Sequence, residues 1–315
     1  MRTRILLFFL FYCIGLQAKL EDHFKTAENK SGVSRMRNID YIYLINLDKR
    51  PEKFSQSAEQ LIRYGIIPYR FSAVNGWELS LEAINDVGLK FRPGMTPLTA
   101  TAYPLETGGD PIYEYMSIEN RAYFVHGIAR GTIGCALSHL SVLKDAWEAG
   151  YGTIWVLEDD IQVLNDPHVL SDLIDKLDAL VGKSNWDVLF TDQDYRISEN
   201  EYMIAFGAHE RPDMDCSSQA RYSEKYTLKR DISSDFRQIS ARFGTHSMII
   251  RRSGIKKLLE FFQEHMIFLP YDLDNYLHPD IHRYCLKYDI VTNLLNALSD
   301  NSRPLYTEND SKVRN

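Results

Sequence analysis

An α/β fold with a mostly parallel central sheet flanked by helices is what this sequence predicts, and three observations carry the prediction. The aromatic and β-branched run from Asp40 to Asp48 is followed by a proline-started amphipathic stretch and then by a second apolar run, Pro68 to Val74. That is a βαβ opening, which places two strands in parallel through a right-handed crossover. Ile154-Trp155-Val156-Leu157 is apolar at every position, as a strand covered on both faces must be. Strand-like and helix-like stretches then keep alternating, at Pro167–Val181, Trp186–Phe190, His246–Arg251 and Gly254–Glu264.

The 315 residues, 44% hydrophobic, can fill one large domain or two small ones, and the composition is neither disordered nor fibrous. A net charge of −7 leaves no general basic surface. No nucleic-acid partner is expected, and any phosphate site must be local.

Residues 1–18 read as a signal peptide: Arg2 and Arg4 precede an apolar run from Ile5 to Leu16, and Gln17-Ala18 offers a cleavage point. The run is shorter than the about 20 apolar residues of a comfortable membrane span. An uncleaved anchor is the second reading and the only membrane contact expected. Either way the chain is predicted to be in the secretory pathway, secreted or anchored. Residues 19–38 lack periodicity and read as a linker, residues 39–298 as one domain, and residues 299–315 as a polar tail. With Cys13 in the leader, Cys135, Cys216 and Cys285 remain, an odd and widely spaced set. It forms neither a disulfide framework nor a metal cluster; at most one bridge is possible, and unpaired thiols are an equal reading.

In chain order, the strand ending at Asp48 leads through Lys49 and Arg50 to Pro51, which suits the first turn of a helix reaching to about Tyr64 and closed by Gly65. Arg50, at the strand's carboxyl end, is a candidate for bidentate contact with phosphate, or is a solvated helix-start residue. No glycine-rich loop joins this strand and helix, which argues against a dinucleotide fingerprint or a P-loop. Asn75-Gly76 reads as a turn. Residues 88–127 are too long for a simple loop and read as an insertion with short elements of its own. A helix capped by Thr132 follows, with Ile133, Ala136, Leu137, Leu140, Leu143 and Trp147 inward, Ser138 and His139 at its middle, and Gly150 as its stop.

That helix delivers the second strand type, which ends in Glu158-Asp159-Asp160. Adjacent carboxylates at the end of a buried strand repel one another unless a cation or hydrogen-bond donors hold them. Oxygen-only ligands favour Mg²⁺, Mn²⁺ or Ca²⁺ over Zn²⁺, and the carboxyl ends of strands are where α/β sheets bind ligands. The next buried strand also ends in acid, at Thr191-Asp192. Tyr202 to Ala208 reads as a strand and residues 209–242 as a second insertion. Asp272-Leu273-Asp274 places two carboxylates on one side of an extended segment, or in the first turn of a helix.

Three blocks resemble glycosyltransferase family 25: Ile45-Asn46-Leu47-Asp48-Lys49-Arg50, then Gly134-Cys135-Ala136-Leu137-Ser138-His139 running into Leu157-Glu158-Asp159-Asp160, and Pro270-Tyr271-Asp272. Asn75-Gly76 departs from the Asp-Gly often found there. The resemblance implies a GT-A type nucleotide-sugar-binding fold, a UDP-sugar donor, Mn²⁺ or Mg²⁺, and inverting transfer of a hexose, galactose first, to a glycan, glycolipid or protein hydroxyl. It places Asn46, Asp48, Arg50, Asn75, Ser138, His139, Glu158 and Asp159 around the donor. Asp160, with Asp159, becomes the metal ligand, and Asp272 or Asp274 the catalytic base. A non-catalytic nucleotide- or sugar-binding protein on the same fold and a metal-dependent phosphohydrolase are the alternative readings.

Overall fold

The computed structural model describes residues 19–214 and 222–306. The predicted leader and Cys216 lie outside the described residues. Eight strands form the central sheet: β1 (Tyr41–Asn46), β2 (Tyr69–Ser72), β3 (Thr153–Glu158), β4 (Val188–Phe190), β5 (Lys229–Asp231), β6 (Phe236–Ile239), β7 (Ser247–Arg251) and β8 (Arg283–Leu286). Their order is β5-β6-β8-β4-β7-β3-β1-β2. β1 runs parallel to β2 and β3, with Ile45 opposite Phe71 on one side and Glu158 on the other. β8 is parallel to β4, while β7 and β6 run antiparallel to both of their neighbours. Six of the eight strands therefore share one direction, as the sequence predicts, in a sheet whose pairing is mixed.

The period-two alternation of the strands divides the core into two layers. Tyr41, Tyr43, Ile154 and Val156 face a cluster that includes Ile133, Ala136, Leu137 and Leu140 of helix Arg130–Glu148. Ile42, Leu44, Trp155 and Leu157 face the other way, onto Ala58 and Leu61 of helix Pro51–Ile62 and Leu170, Leu173, Ile174 and Leu177 of helix Val169–Val181. We label these helices α1 (Pro51–Ile62), α2 (Arg130–Glu148) and α3 (Val169–Val181). Each fully buried Leu or Ile contributes about 1.5–3 kcal/mol, so this three-layer sandwich fixes β1 and β3 firmly at the centre. Among the described residues no helix is long and apolar enough to cross a membrane.

The predicted insertion at residues 88–127 folds as a four-stranded antiparallel sheet, in the order Leu89–Lys90, Ala122–Val125, Thr99–Ala102, Ile112–Tyr115. The second insertion supplies β5 and β6 to the sheet edge. Tyr202–Met203 is the only part of the expected Tyr202–Ala208 strand that pairs, with Tyr195–Arg196. Thr132 is not the N-cap: α2 starts at Arg130 behind an extended Ala129, which places Thr132 inside the first turn. Residues 19–38 lie along the domain, with Lys30 Nζ 2.6 Å from Asp145 and 4.7 Å and 4.8 Å from the ring centroids of Tyr151 and Tyr41.

Two glycines set α2 against the turn after β2. A Cβ on Gly76 would lie 1.8 Å from the Arg130 carbonyl oxygen, and one on Gly134 would lie 2.4 Å from the Gly76 nitrogen. Ser138 completes this seam, accepting from Val74 N at 2.8 Å and donating to Gly134 O at 2.7 Å.

Candidate active site

β1 is followed by β2 on one side, whereas β3 is followed by β4 on the other, beyond β7, so the chain leaves the carboxyl ends of the adjacent strands β1 and β3 in opposite directions. The crevice opened by such a reversal is where α/β sheets bind ligands. Here it is lined by Asn46, Lys53, Asn75, Gly76, Trp77, Cys135, Ser138, His139 and the three acids Glu158, Asp159 and Asp160. A second cavity adjoins it, lined by Tyr195, Phe243, Thr245, His246, Tyr271 and Asp272. Cys135, Glu158, Asp160, Ser299 and Asn301 line both.

The three acids meet different surroundings. Glu158 Oε1 lies 3.0 Å from His139 Nε2 and accepts from Thr245 Oγ1 at 2.7 Å. Burial alone would raise its pKa, but His139 and Thr245 bring it down to about 2. Asp159 is raised to about 7, chiefly by burial and further by Asp160, against Lys53 at 3.8 Å and the Asn46 amide at 2.6 Å. Asp160 is also raised, by burial and by Glu158. Among the described residues it has no ion pair; its backbone carbonyl accepts from Leu294 N at 2.6 Å. Carboxylates crowded in this way are hard oxygen donors short of positive charge, so they fit a cation of the Mg²⁺ or Mn²⁺ type.

The other predicted donor contacts divide. Asn46 is buried and works as a clamp, donating to Arg50 O at 2.8 Å and to Asp159, and accepting from Arg70 Nε at 2.8 Å. Asn75 lines the crevice and caps the following turn by accepting from Trp77 N. His139 is held flat against Tyr271, with ring centroids 4.4 Å apart and planes 12° from parallel. Asp48 stands outside the crevice, bound to Ser72 Oγ at 2.7 Å and Arg70 at 3.1 Å. Arg50 is not a free phosphate contact: it is buried, with Nε 2.7 Å from Glu52 and Nη1 3.2 Å from Asp300.

Asp272 and Asp274 diverge because both sit in the helical turn Tyr271–Asn275 rather than on a strand. Asp272 lines the second cavity and accepts from Gly244 N at 2.9 Å; burial raises its pKa. Asp274 faces neither cavity. It is fully buried, ion-paired with Arg211, and accepts from Phe268 N and Leu269 N at 3.0 Å each. Its surroundings are those of a structural carboxylate, and Asp272 alone of the pair faces a cavity.

The sequence reading missed several residues. Asp300 bonds Arg50, its carbonyl accepts from Trp77 Nε1 at 2.8 Å, and Tyr306 OH meets Asn75, so the polar stretch after Leu298 closes one wall of the crevice. Behind the second cavity, Asp192 accepts from Arg242 at 2.9 Å and Thr292 at 3.0 Å and lies 2.7 Å from His246 Nε2. Against the effect of burial, Arg242 and His246 hold Asp192 down to about 2. Its position after a buried strand repeats the Glu158 pattern, and that was the available signal.

The model of a family described as glycosyltransferase family 25 (LPS biosynthesis protein) matches residues 39–275. A glycosyltransferase 25 family member of Drosophila melanogaster is 27% identical over 177 residues, covering 56% of this chain and 24% of its own length. An inactive glycosyltransferase 25 family member 3 of Homo sapiens is 26% identical over 153 residues, 48% of this chain and 21% of its own length. Procollagen galactosyltransferase 1-B of Xenopus laevis is 25% identical over 154 residues, 49% of this chain and 21% of its own length. The chain thus spans between a fifth and a quarter of the length of these curated relatives.

Proposed function

This chain belongs to glycosyltransferase family 25, and from that premise we propose that it transfers a hexose, galactose first, from a UDP-sugar to a hydroxyl of a glycan, glycolipid or protein, with inversion and with a divalent cation. The observation that carries the reading is that two cavities meet at Glu158 and Asp160, one at the strand-order reversal and the other containing Asp272. A donor in the first and an acceptor in the second would bring their reacting atoms together at that junction.

Glu158, Asp159 and Asp160 would hold the cation, which supplies Lewis acidity for the departing diphosphate when bound. His139 and Thr245 keep Glu158 ionised and aimed into the crevice. Asp272 is the base: its carboxylate takes the proton of the acceptor hydroxyl as that oxygen attacks opposite the leaving group. Burial raises its pKa, and a more basic carboxylate is a better acceptor for that proton. The Gly244 amide holds one oxygen and so fixes the direction of the other. The predicted leader would place the reaction in the secretory pathway, where eukaryotic lumens contain nucleotide sugars.

The test is UDP release by the purified chain from Lys19 onward, offered a panel of nucleotide sugars with Mn²⁺ or with chelator. Cation-dependent release from one donor, lost in Asp160→Asn, is the expected result. The inactive human relative gives a specific reason to weigh a second reading, a nucleotide-sugar-binding protein without transfer. That reading predicts cation-dependent UDP binding with no release from any donor or acceptor.

A further inference from the structure

The helix face that overlooks the acids carries a different kind of donor set. Cys135 and His139 are four residues apart on α2, the spacing that stacks two side chains one turn apart on the same face. Glu158 approaches from the end of β3. One ligand atom from each of the three lies within 4.8 Å of the other two, so together they are close enough to meet at one ion. We propose that Cys135, His139 and Glu158 form a second cation site, selective for Zn²⁺, that shares Glu158 with the carboxylate set and so makes the enzyme zinc-sensitive.

The chemistry of the set separates it from Asp159 and Asp160. Sulfur and imidazole nitrogen favour Zn²⁺ or Co²⁺, whereas carboxylate oxygens alone favour Mg²⁺ or Mn²⁺. Two ligands are already held in place. The His139 ring is stacked on Tyr271, and the Thr245 hydroxyl donates to Glu158 Oε1, the sort of outer support that orients metal ligands. Cys135 lines both cavities, so an ion can reach it from solvent, and the cavity side is where a fourth ligand such as water would bind.

Binding releases the thiol proton of Cys135 to solvent. It also removes the Nε2 proton that His139 directs at Glu158, and for a neutral ring that proton moves to Nδ1. No electrons change hands. An ion held there takes Glu158 away from the acids that hold the donor's cation and places a dication beside them. This inhibitory consequence rests on the proposed transferase reading, whereas the site itself rests on the three side chains.

Co²⁺ titration of the purified, metal-free chain tests the site directly. The expected result is a near-ultraviolet thiolate-to-cobalt charge-transfer band, displaced by Zn²⁺, absent from Cys135→Ser, and accompanied by at least tenfold weaker Zn²⁺ binding in that variant. In the unmutated chain Zn²⁺ should slow alkylation of Cys135, followed by peptide mass spectrometry, at least tenfold while leaving Cys285 unaffected; this readout needs no variant to fold. A wild-type chain with no such band, a band that persists in Cys135→Ser, or alkylation indifferent to Zn²⁺ would overturn the site. UDP binding with Mg²⁺, measured on the same preparation, is a separate readout: its loss would count against the transferase reading and not against the zinc site.

Discussion

Alanine at Asp274 and alanine at Asp272 should have opposite signatures, although the two carboxylates are separated by a single residue. Asp274 is fully buried, ion-paired with an equally buried Arg211, and accepts two backbone amides. Removing it strands a guanidinium and two N–H groups, and breaking a buried pair from one side costs about 3–5 kcal/mol. Arg211 keeps Asp213 at 2.8 Å and the Met266 carbonyl at 2.9 Å, so the lower end of that range applies. At roughly 2–4 °C per kcal/mol for a domain of this size, Asp274→Ala should melt about 6–12 °C lower. Asp272 accepts one backbone amide, and burial already penalises its charged form. Its removal should cost about 1 kcal/mol or less, yet abolish transfer. Differential scanning fluorimetry paired with UDP release separates the two effects. If Asp274→Ala melts with the parent chain while losing transfer, or Asp272→Ala loses as much stability as Asp274→Ala, the assignment of roles is wrong.

Asp160→Asn should lose cation-dependent UDP binding by calorimetry while melting no lower than the parent, because it removes a carboxylate that burial and Glu158 both disfavour; retained binding would take Asp160 out of the site. Without metal, stability should rise as pH falls from about 7 toward 4. The reason is that folded Asp159, raised to about 7, gains a proton that the unfolded residue, near its ordinary value of about 3.9, does not. Below about pH 4 the sign reverses, since Glu158 and Asp192, both held to about 2, must then be protonated. Melts in chelator across pH 3–8 that fall steadily from neutrality would contradict this. Asp300→Ala should cost about 3 kcal/mol, the low end for breaking a buried pair, by leaving buried Arg50 with only the exposed Glu52 as a carboxylate partner, and should raise the donor KM by loosening the segment that carries Ser299 and Asn301. Gly76→Ala should cost more than the about 1–3 kcal/mol of ordinary overpacking, since its Cβ would lie 1.8 Å from a backbone oxygen; a chemical-denaturation midpoint near the parent's would show that the turn can move.

Much of the sheet centre was legible because β1 and β3 are buried at nearly every position and are joined to helices with a clear 3.6-residue period. The acids at the end of β3 were legible for the same reason, since charge immediately after such a strand stands out. The direction of β7 was not, because Ser247–Arg251 has the same apolar pattern in either orientation, and its pairing with β3 and β4 is decided by the chain's route. Asp192, Arg242, His246 and Thr292 meet only because β4 ends and β7 begins at the same sheet edge, a convergence that no local spacing encodes. Arg50 misled because a strand-end arginine looks free until the distant Asp300 is placed beside it.

The different states of Glu158 and Asp159 follow from the strand that carries them. Side chains alternate across a strand, so Glu158 continues the face of Ile154 and Val156, toward α2, where His139 of that helix and Thr245, just ahead of β7, stabilise its anion. Asp159 continues the face of Trp155 and Leu157, toward α1, where Lys53 stands 3.8 Å away and Ser57 Oγ holds its carbonyl at 2.8 Å. A single lysine at that distance offsets only part of the cost of burial, which leaves Asp159 high where Glu158 is low. Asp160, beyond the last β3 residue, has neither helix to itself and lies where the two cavities meet. Three consecutive acids thus become one fixed anion and two that gain most from added positive charge. On the proposed reading the cation lies nearest Asp159 and Asp160, with Glu158 as an already ionised third neighbour, and a change at His139 should raise Glu158 toward their state.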